Sequence, residues 1–190
     1  MSIIDCIELQ TNKKVNCFKP GPNAKDRGLL MCLKVIDSNY LLSGYENGEL
    51  ALFDLRKYAE VSKLNIFHGQ PLMCLDYSKV LNIGISGSSE KSMTEIALNG
   101  ENNTLIQKST IELVNPGLNC IRMRKSDSKI FSSGGWDNRV RVYGTKKLKL
   151  LACLDFHKEP INSIDFSENN LMAVGGNDCL ISFWNLYNSN

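Results

Sequence analysis

The 190-residue chain is 43% apolar and 22% charged, and its 22 Lys and Arg against 20 Asp and Glu leave a net charge of +2. This is globular composition at the size of one ordinary domain, and the near balance excludes a global electrostatic pull towards nucleic acid or an anionic membrane, so partner choice must be local. No uncharged apolar run approaches 18 residues, and Asp5 and Glu8 interrupt the stretch where a signal peptide would be continuous, so the expectation is a soluble intracellular protein of the cytoplasm or nucleus.

The chain opens with "SIIDCIEL" and "KKVNCFKPG", two strand-like runs joined by the polar "QTNKK". Four longer segments follow and rhyme: "MCLKVIDSNYLLSGYENGELALFDL" from Met31, "MCLDYSKVLNIGISGSSEKSMTEIAL" from Met73, "NCIRMRKSDSKIFSSGGWDNRVRVYG" from Asn119 and "NSIDFSENNLMAVGGNDCLISFWNL" from Asn162. Each reads as an alternating strand, a polar turn, a second strand ending in small residues, a tight turn and a third strand. The markers Gly44, Gly87, Gly134 and Gly175 are spaced by 43, 47 and 41 residues, close to the roughly 40–45 of one propeller blade. In the first, third and fourth segments the closing aromatic (Phe53, Tyr143, Trp184) stands nine residues beyond that glycine. The second departs most: Ile96 or Leu98 replaces the aromatic, and "NGENNT" from Asn99 to Thr104 reads as a hairpin turn. A single sheet cannot cover its own apolar faces, whereas sheets stacked around an axis can, so a repeat of this kind predicts an all-β propeller with almost no helix. The divisions follow: 1–28 for the last strands of a preceding blade, 29–70 for a blade, 71–117 for a degenerate blade, 118–160 for a blade, and 161–190 for a last blade lacking its outer strand.

The motifs "SGYENGELALFDL", "GGWDNRVRVYG" and "GGNDCLISFWNL", with His68-Gly69 and His157-Lys158 each beginning six residues before the aligned Cys74 and Ser163, resemble the WD-repeat β-propeller family. The order of segments along the chain looks like the C-terminal part of a branch whose fungal members are subunits of the ASTRA assembly. The resemblance implies about four blades of a seven-bladed ring. It also implies a structural network in which a His, a strand hydroxyl, a turn Asp and the signature Trp bond to one another. Carried over, that network takes His157, Asp178 and Trp184 in the fourth repeat, with Val174 or Gly175 where the hydroxyl belongs. It takes Ser133, Asp137 and Tyr143 in the third, and His68 ahead of the second. No blade is thus expected to hold the complete set.

Trp136-Asp137 is a Trp-Asp pair in the turn rather than at the signature position, which the nine-residue count assigns to Tyr143-Gly144. Asp137 then holds the turn, and Trp136 either packs on the neighbouring blade or stands available to a partner. The candidate partner-binding face is the one carrying these turns: Tyr45, Glu46, Asn47, Trp136, Asn138, Arg139 and Asn177. "GISGSSEKS" fails as a phosphate loop because Glu90 precedes Lys91. Asn102-Asn103-Thr104 is a formal glycosylation sequon that reads as a turn. The seven cysteines lack a C-x-x-C pair and read as reduced thiols rather than disulfides or metal ligands. The reading is therefore a non-enzymatic scaffold with no catalytic residue, metal or cofactor. Its partners would be other proteins in a multi-subunit assembly, with no direct nucleic acid, membrane or small-molecule substrate. The resemblance implies an ASTRA-linked assembly factor that stabilises phosphatidylinositol-3-kinase-like kinases. The alternatives are a G-protein β-like signalling subunit, for which the chain shows no coiled-coil heptads, and a propeller enzyme, for which no acids converge on a nucleophile.

Overall fold

The alternating runs fold into antiparallel sheets in a computed structural model that describes residues 3–18, 21 and 24–186. Lys19 and Pro20 of the second run and Tyr187 after the last strand lie outside the described residues. The opening runs form a hairpin of β1 (Ile4–Glu8) and β2 (Lys13–Phe18). Blade 1 follows as β3 (Leu30–Val35), β4 (Tyr40–Tyr45), β5 (Glu49–Asp54) and β6 (Ala59–Asn65). Blade 2 is β7 (Leu72–Ser78), β8 (Ile83–Ser88), β9 (Ser92–Asn99) and β10 (Thr104–Glu112). Blade 3 is β11 (Leu118–Met123), β12 (Ile130–Gly135), β13 (Val140–Gly144) and β14 (Lys149–Leu154). Blade 4 has three strands among the described residues, β15 (Ile161–Phe166), β16 (Leu171–Gly176) and β17 (Ile181–Asn185). Each blade is an up-and-down meander, and its first strand lies beside the first strand of the next, β3 by β7, β7 by β11 and β11 by β15. This is the propeller arrangement. The helical content among the described residues is one 3-10 turn, Ala24–Arg27.

The core lies in the seams between blades. Leu42, Leu50 and Leu52 of blade 1 meet Leu72, Leu75, Tyr77 and Ile96 of blade 2. Ile85 and Met93 of blade 2 meet Leu118, Ile121, Phe131 and Tyr143 of blade 3. Val140 and Val142 of blade 3 meet Ile161, Ile164, Phe166 and Met172 of blade 4. At each seam the repeat glycine is required by close approach. A Cβ on Gly134 would stand 2.5 Å from Ile161 Cγ2 and 2.6 Å from Cys120 Sγ, and Gly44 and Gly87 face Leu72 with Cys32 and Leu118 with Cys74 in the same way. Burial there pushes the Cys32 and Cys120 thiols up to about 12 and Cys74 well above its ordinary value. All seven cysteines are free thiols, with Cys153 and Cys179 exposed.

Blade 2 keeps four strands despite losing the signature, because Ile96 fills the aromatic's position opposite Gly84, where a Cβ would stand 2.7 Å from Ile96 Cγ1. "NGENNT" is the turn between β9 and β10. The first hairpin packs Phe18 edge-on against Phe53 of blade 1, ring centroids 5.8 Å apart.

Candidate protein-interaction face

The turns between the second and third strands of blades 1, 3 and 4 share one geometry. A residue whose side chain accepts a backbone N–H two residues on is followed by one with positive φ: Asn47 and Gly48 (φ 82°), Asp137 and Asn138 (φ 67°), Asp178 and Cys179 (φ 63°). The backbone N–H of that residue or the one just before it donates to the loop between blades, Asn47 to Arg27 O (3.1 Å), Trp136 to Gly117 O (3.0 Å) and Asn177 to Pro160 O (2.9 Å). These bonds fix the turns as one face at the start of the first strands.

Trp136 is the largest apolar group on that face. Its indole lies across Gly117, where a Cβ would fall 2.1 Å from the ring, and its Nε1–H donates to Asn119 Oδ1 at 2.6 Å. The side chain nevertheless stays 42% exposed, so it packs on one side and faces solvent on the other. Asn119 in turn donates to Ile161 O (2.9 Å) and Asn162 Oδ1 (3.4 Å), and Asn162 donates to Asn177 Oδ1 (3.3 Å). A ladder of side-chain amides thus links the turn of blade 3 to the turn of blade 4. Asn138 donates to Lys158 O (2.8 Å), and Arg139 pairs loosely with Asp155 at 3.4 Å. Glu46 is exposed and accepts from Leu29 N–H at 2.9 Å, on the far side of blade 2 from Trp136. Tyr45 does not belong to the face: it is only 3% exposed, closes the blade 1 core beneath Arg27, and presents its ring to that guanidinium at 5.1 Å. Asn119 and Asn162 went unsingled in the sequence, although their matching places at the head of "NCIRM" and "NSIDF" marked them.

Beneath this face the blades are tied by different networks. In blade 4 the complete set is present, which corrects the expectation that none is. Ser182 of β17, not Val174 or Gly175, supplies the hydroxyl. Trp184 Nε1–H donates to Ser182 Oγ (2.8 Å), Ser182 Oγ lies 3.0 Å from His157 Nε2, and His157 Nδ1 lies 3.0 Å from both carboxylate oxygens of Asp178. Burial pushes the Asp178 carboxyl up, but the His157 hydrogen bond and the Lys158 and Leu180 amides outweigh it and hold the group below its ordinary value. The Ser-His-Asp order resembles a hydrolase triad, yet the serine is buried and capped by the indole N–H, so these bonds fasten a blade rather than expose a nucleophile.

In blade 3 Asp137 accepts two bonds from Arg141 (3.0 and 2.6 Å) and one from Asn115 Nδ2 (2.7 Å). Burial raises its carboxyl, and Arg141 and Asn115 more than reverse this. Arg141 and Ser182 each stand four residues beyond the turn Asp, a shared offset that could have found both. Tyr143 stacks on Phe131 at 5.0 Å, and Ser133 is buried beside it without full hydrogen-bond geometry. His68 is the other correction. Its backbone N–H donates to Asn65 Oδ1 (2.9 Å) in a positive-φ turn that leaves the side chain exposed, so it ties no blade together. Among the described residues no group of three or more His, Cys, Asp or Glu could hold a metal ion.

The family model described as "WD domain, G-beta repeat" matches residues 148–185. The chain is 34% identical to the mouse (Mus musculus) guanine nucleotide-binding protein subunit beta-like protein 1 over 97% of its own length and 57% of that protein's. It is 27% identical to ASTRA-associated protein 1 of Schizosaccharomyces japonicus (93% of this chain, 54% of the relative). The Schizosaccharomyces pombe protein of the same name is 29% identical (80% and 46%). The chain spans about half the length of the relatives it matches. Meander blades sharing their seams and a repeat glycine at each seam give the chain a WD-repeat β-propeller fold, with the matched repeat running from β14 to β17.

Proposed function

We propose that the chain is a non-enzymatic scaffold that presents its turn face to other proteins. It would serve as an assembly or co-chaperone-type subunit of an ASTRA-like complex that helps stabilise phosphatidylinositol-3-kinase-like kinases, in the cytoplasm or nucleus. The observation that carries the reading is Trp136: a rigid, half-exposed indole, oriented by Asn119 and flanked by Asn138 and Arg139. An aromatic anchor with a polar rim is the composition of a binding hot spot. The names of the fungal relatives support the choice of assembly. The test is affinity capture with the tagged chain, quantified by mass spectrometry. Trp136→Ala with Arg139→Glu is expected to lower recovery of ASTRA-type subunits at least tenfold while the melting temperature holds; equal recovery would overturn the assignment of this face. A second reading, a G-protein β-like signalling subunit, draws on the name of the mouse relative. Recovery of G-protein subunits in place of ASTRA-type subunits would favour it.

A further inference from the structure

The opposite end of the first strands holds a second feature, which does not depend on the turn-face reading. Counting from the seam residues Cys32, Cys74, Cys120 and Ser163, the position two further along is Lys34, Asp76, Arg122 and Asp165, a sequence of alternating charge across four adjacent strands. Lys34 pairs with Asp76 at 2.5 Å, and Arg122 reaches Asp165 at only 3.8 Å. Just beyond, these strands and their turns line a cleft of about 570 Å³, within the roughly 300–1,000 Å³ that holds a compact ligand.

Its walls carry five cations, Lys34, Lys79, Arg122, Arg124 and Lys125, against the carboxylates Asp76 and Asp165. Most of the local acids are already occupied. Asp76 is buried and also accepts Met123 N–H at 2.7 Å, Asp127 takes both bonds of the Arg124 fork, and Asp37 holds Lys79 at 2.6 Å. That leaves Arg122 and Lys125 sharing the single carboxylate of Asp165, and the Arg122 fork with no close partner there. Arginine favours two parallel bonds to one carboxylate, and Asp165 does not supply them to the half-exposed Arg122. The same cleft is rimmed by aliphatic side chains in water: Leu33, Val35 and Val80, the last 90% exposed. Leu75, Tyr77, Ile121 and Met123, which match Leu33 and Val35 in repeat position, are buried against the preceding blade, whereas Val80 stands in a turn that no blade covers.

We propose that this cleft docks a short acidic peptide segment, one carboxylate entering between Arg122 and Lys125 and an aliphatic side chain covering Val80. Charge complementarity selects the acid, and the aliphatic rim selects a peptide over a polynucleotide. Single-stranded nucleic acid needs aromatic stacking platforms, and the one aromatic ring lining this cleft, Tyr77, is buried.

Fluorescence anisotropy of the full chain with a labelled octapeptide of alternating Asp and Leu is the test. Saturable binding is expected, weakening as salt rises, with at least tenfold weaker binding for the peptide in which Lys replaces Asp. Arg122→Glu with Lys125→Glu, both at exposed side chains, is expected to weaken the acidic peptide at least tenfold. Val80→Glu, at a position too exposed to threaten folding, is expected to weaken it severalfold. Trp136→Ala should leave it unchanged, which separates this site from the turn face. Equal binding of the two peptides, no saturation, an unaffected double variant, or tighter binding of a single-stranded oligonucleotide would each overturn the proposal.

Discussion

In blade 4 the turn acid Asp178 is met by His157, and the residue four further on is Ser182, which hands the chain of bonds to Trp184. In blade 3 the turn acid Asp137 is met by Asn115, and the residue four further on is Arg141, which returns both its bonds to the same carboxylate. The backbone corner is the same, and the side chains filling it differ as a set. The relay passes through three partners and ends on the signature indole. The charged clamp closes on itself and leaves the signature position, Tyr143, free to stack on Phe131. Repetition therefore fixes where a corner must be satisfied, and each blade satisfies it with a locally complete group rather than with conserved single residues.

The largest expected difference between the two corners comes from deleting the acid. Asp137→Ala strands the buried Arg141 guanidinium, and breaking a buried pair in this way costs about 3–5 kcal/mol. Asp178→Ala leaves an imidazole and a hydroxyl that can still bond to each other, so its cost should be clearly the smaller of the two. Urea denaturation of the two variants measures the gap, and equal losses would refute the distinction between clamp and relay.

Exchange of the sets sharpens the same point. Arg141→Ser alone leaves Asp137 with only its Asn115 bond and is expected to cost about 2–3 kcal/mol, since a half-buried ionised acid loses both bonds to its charged partner. Arg141→Ser combined with Asn115→His and Tyr143→Trp rebuilds the blade 4 relay in blade 3 and should recover at least about 1 kcal/mol of that loss. Such non-additivity is the signature of residues that act as one network. A triple variant no more stable than the single one would show that the corners are not interchangeable.

Much of this was legible in the sequence. Alternation and the spacing of Gly44, Gly87, Gly134 and Gly175 gave the blades, because the same steric demand recurs at every seam. The turn acids followed from their fixed distance beyond those glycines. What escaped was whatever depends on proximity between blades or on the direction of one side chain. The resemblance points to a hydroxyl on the second strand, whereas the third strand brings Ser182 within 3.0 Å of His157. The hook from Asn119 to Trp136 joins residues of different elements across a loop. Tyr45 ends a strand beside a turn, which reads as surface, yet its register opposite Leu30 keeps its ring in the core. His68 shares a sequence register with His157, but the left-handed backbone and the Asn65 bond turn it outward.

Acidification acts on both corners at once. Asp137 and Asp178 are held below the ordinary carboxylate value in the fold, as are Asp37, Asp127 and Asp165. A depressed folded value means that the unfolded chain takes up protons first. The stability these groups contribute is complete above pH about 5, erodes through the ordinary range near 4, and is lost as pH falls through the lower folded values. Urea midpoints should therefore be flat from pH 7 to 5 and fall steadily below 4. Asp178→Asn should flatten the acid limb measurably. An unchanged limb would mean that its low folded value does not contribute to stability.

The smallest effect concerns the residue after Asn47, Asp137 and Asp178, where blade 1 has Gly48, blade 3 Asn138 and blade 4 Cys179, all left-handed. A left-handed residue with a Cβ costs roughly 1–2 kcal/mol, more than the roughly 0.5–1 kcal/mol that glycine loses through its freer unfolded chain. Cys179 is exposed, and its sulfur makes only a 4.0 Å contact to Asn177 O, so little packing opposes replacement. Cys179→Gly should then stabilise the protein by about 0.5 kcal/mol, raising the melting temperature by one or two degrees in a thermal melt followed by circular dichroism. The reverse change is not symmetrical. A Cβ on Gly48 would stand 2.7 Å from Gln70 O and 2.9 Å from the Phe67 carbonyl carbon, both backbone atoms that cannot rotate away. Gly48→Cys should therefore lower the melting temperature by several degrees, because strain and collision add at that turn while strain alone acts at Cys179.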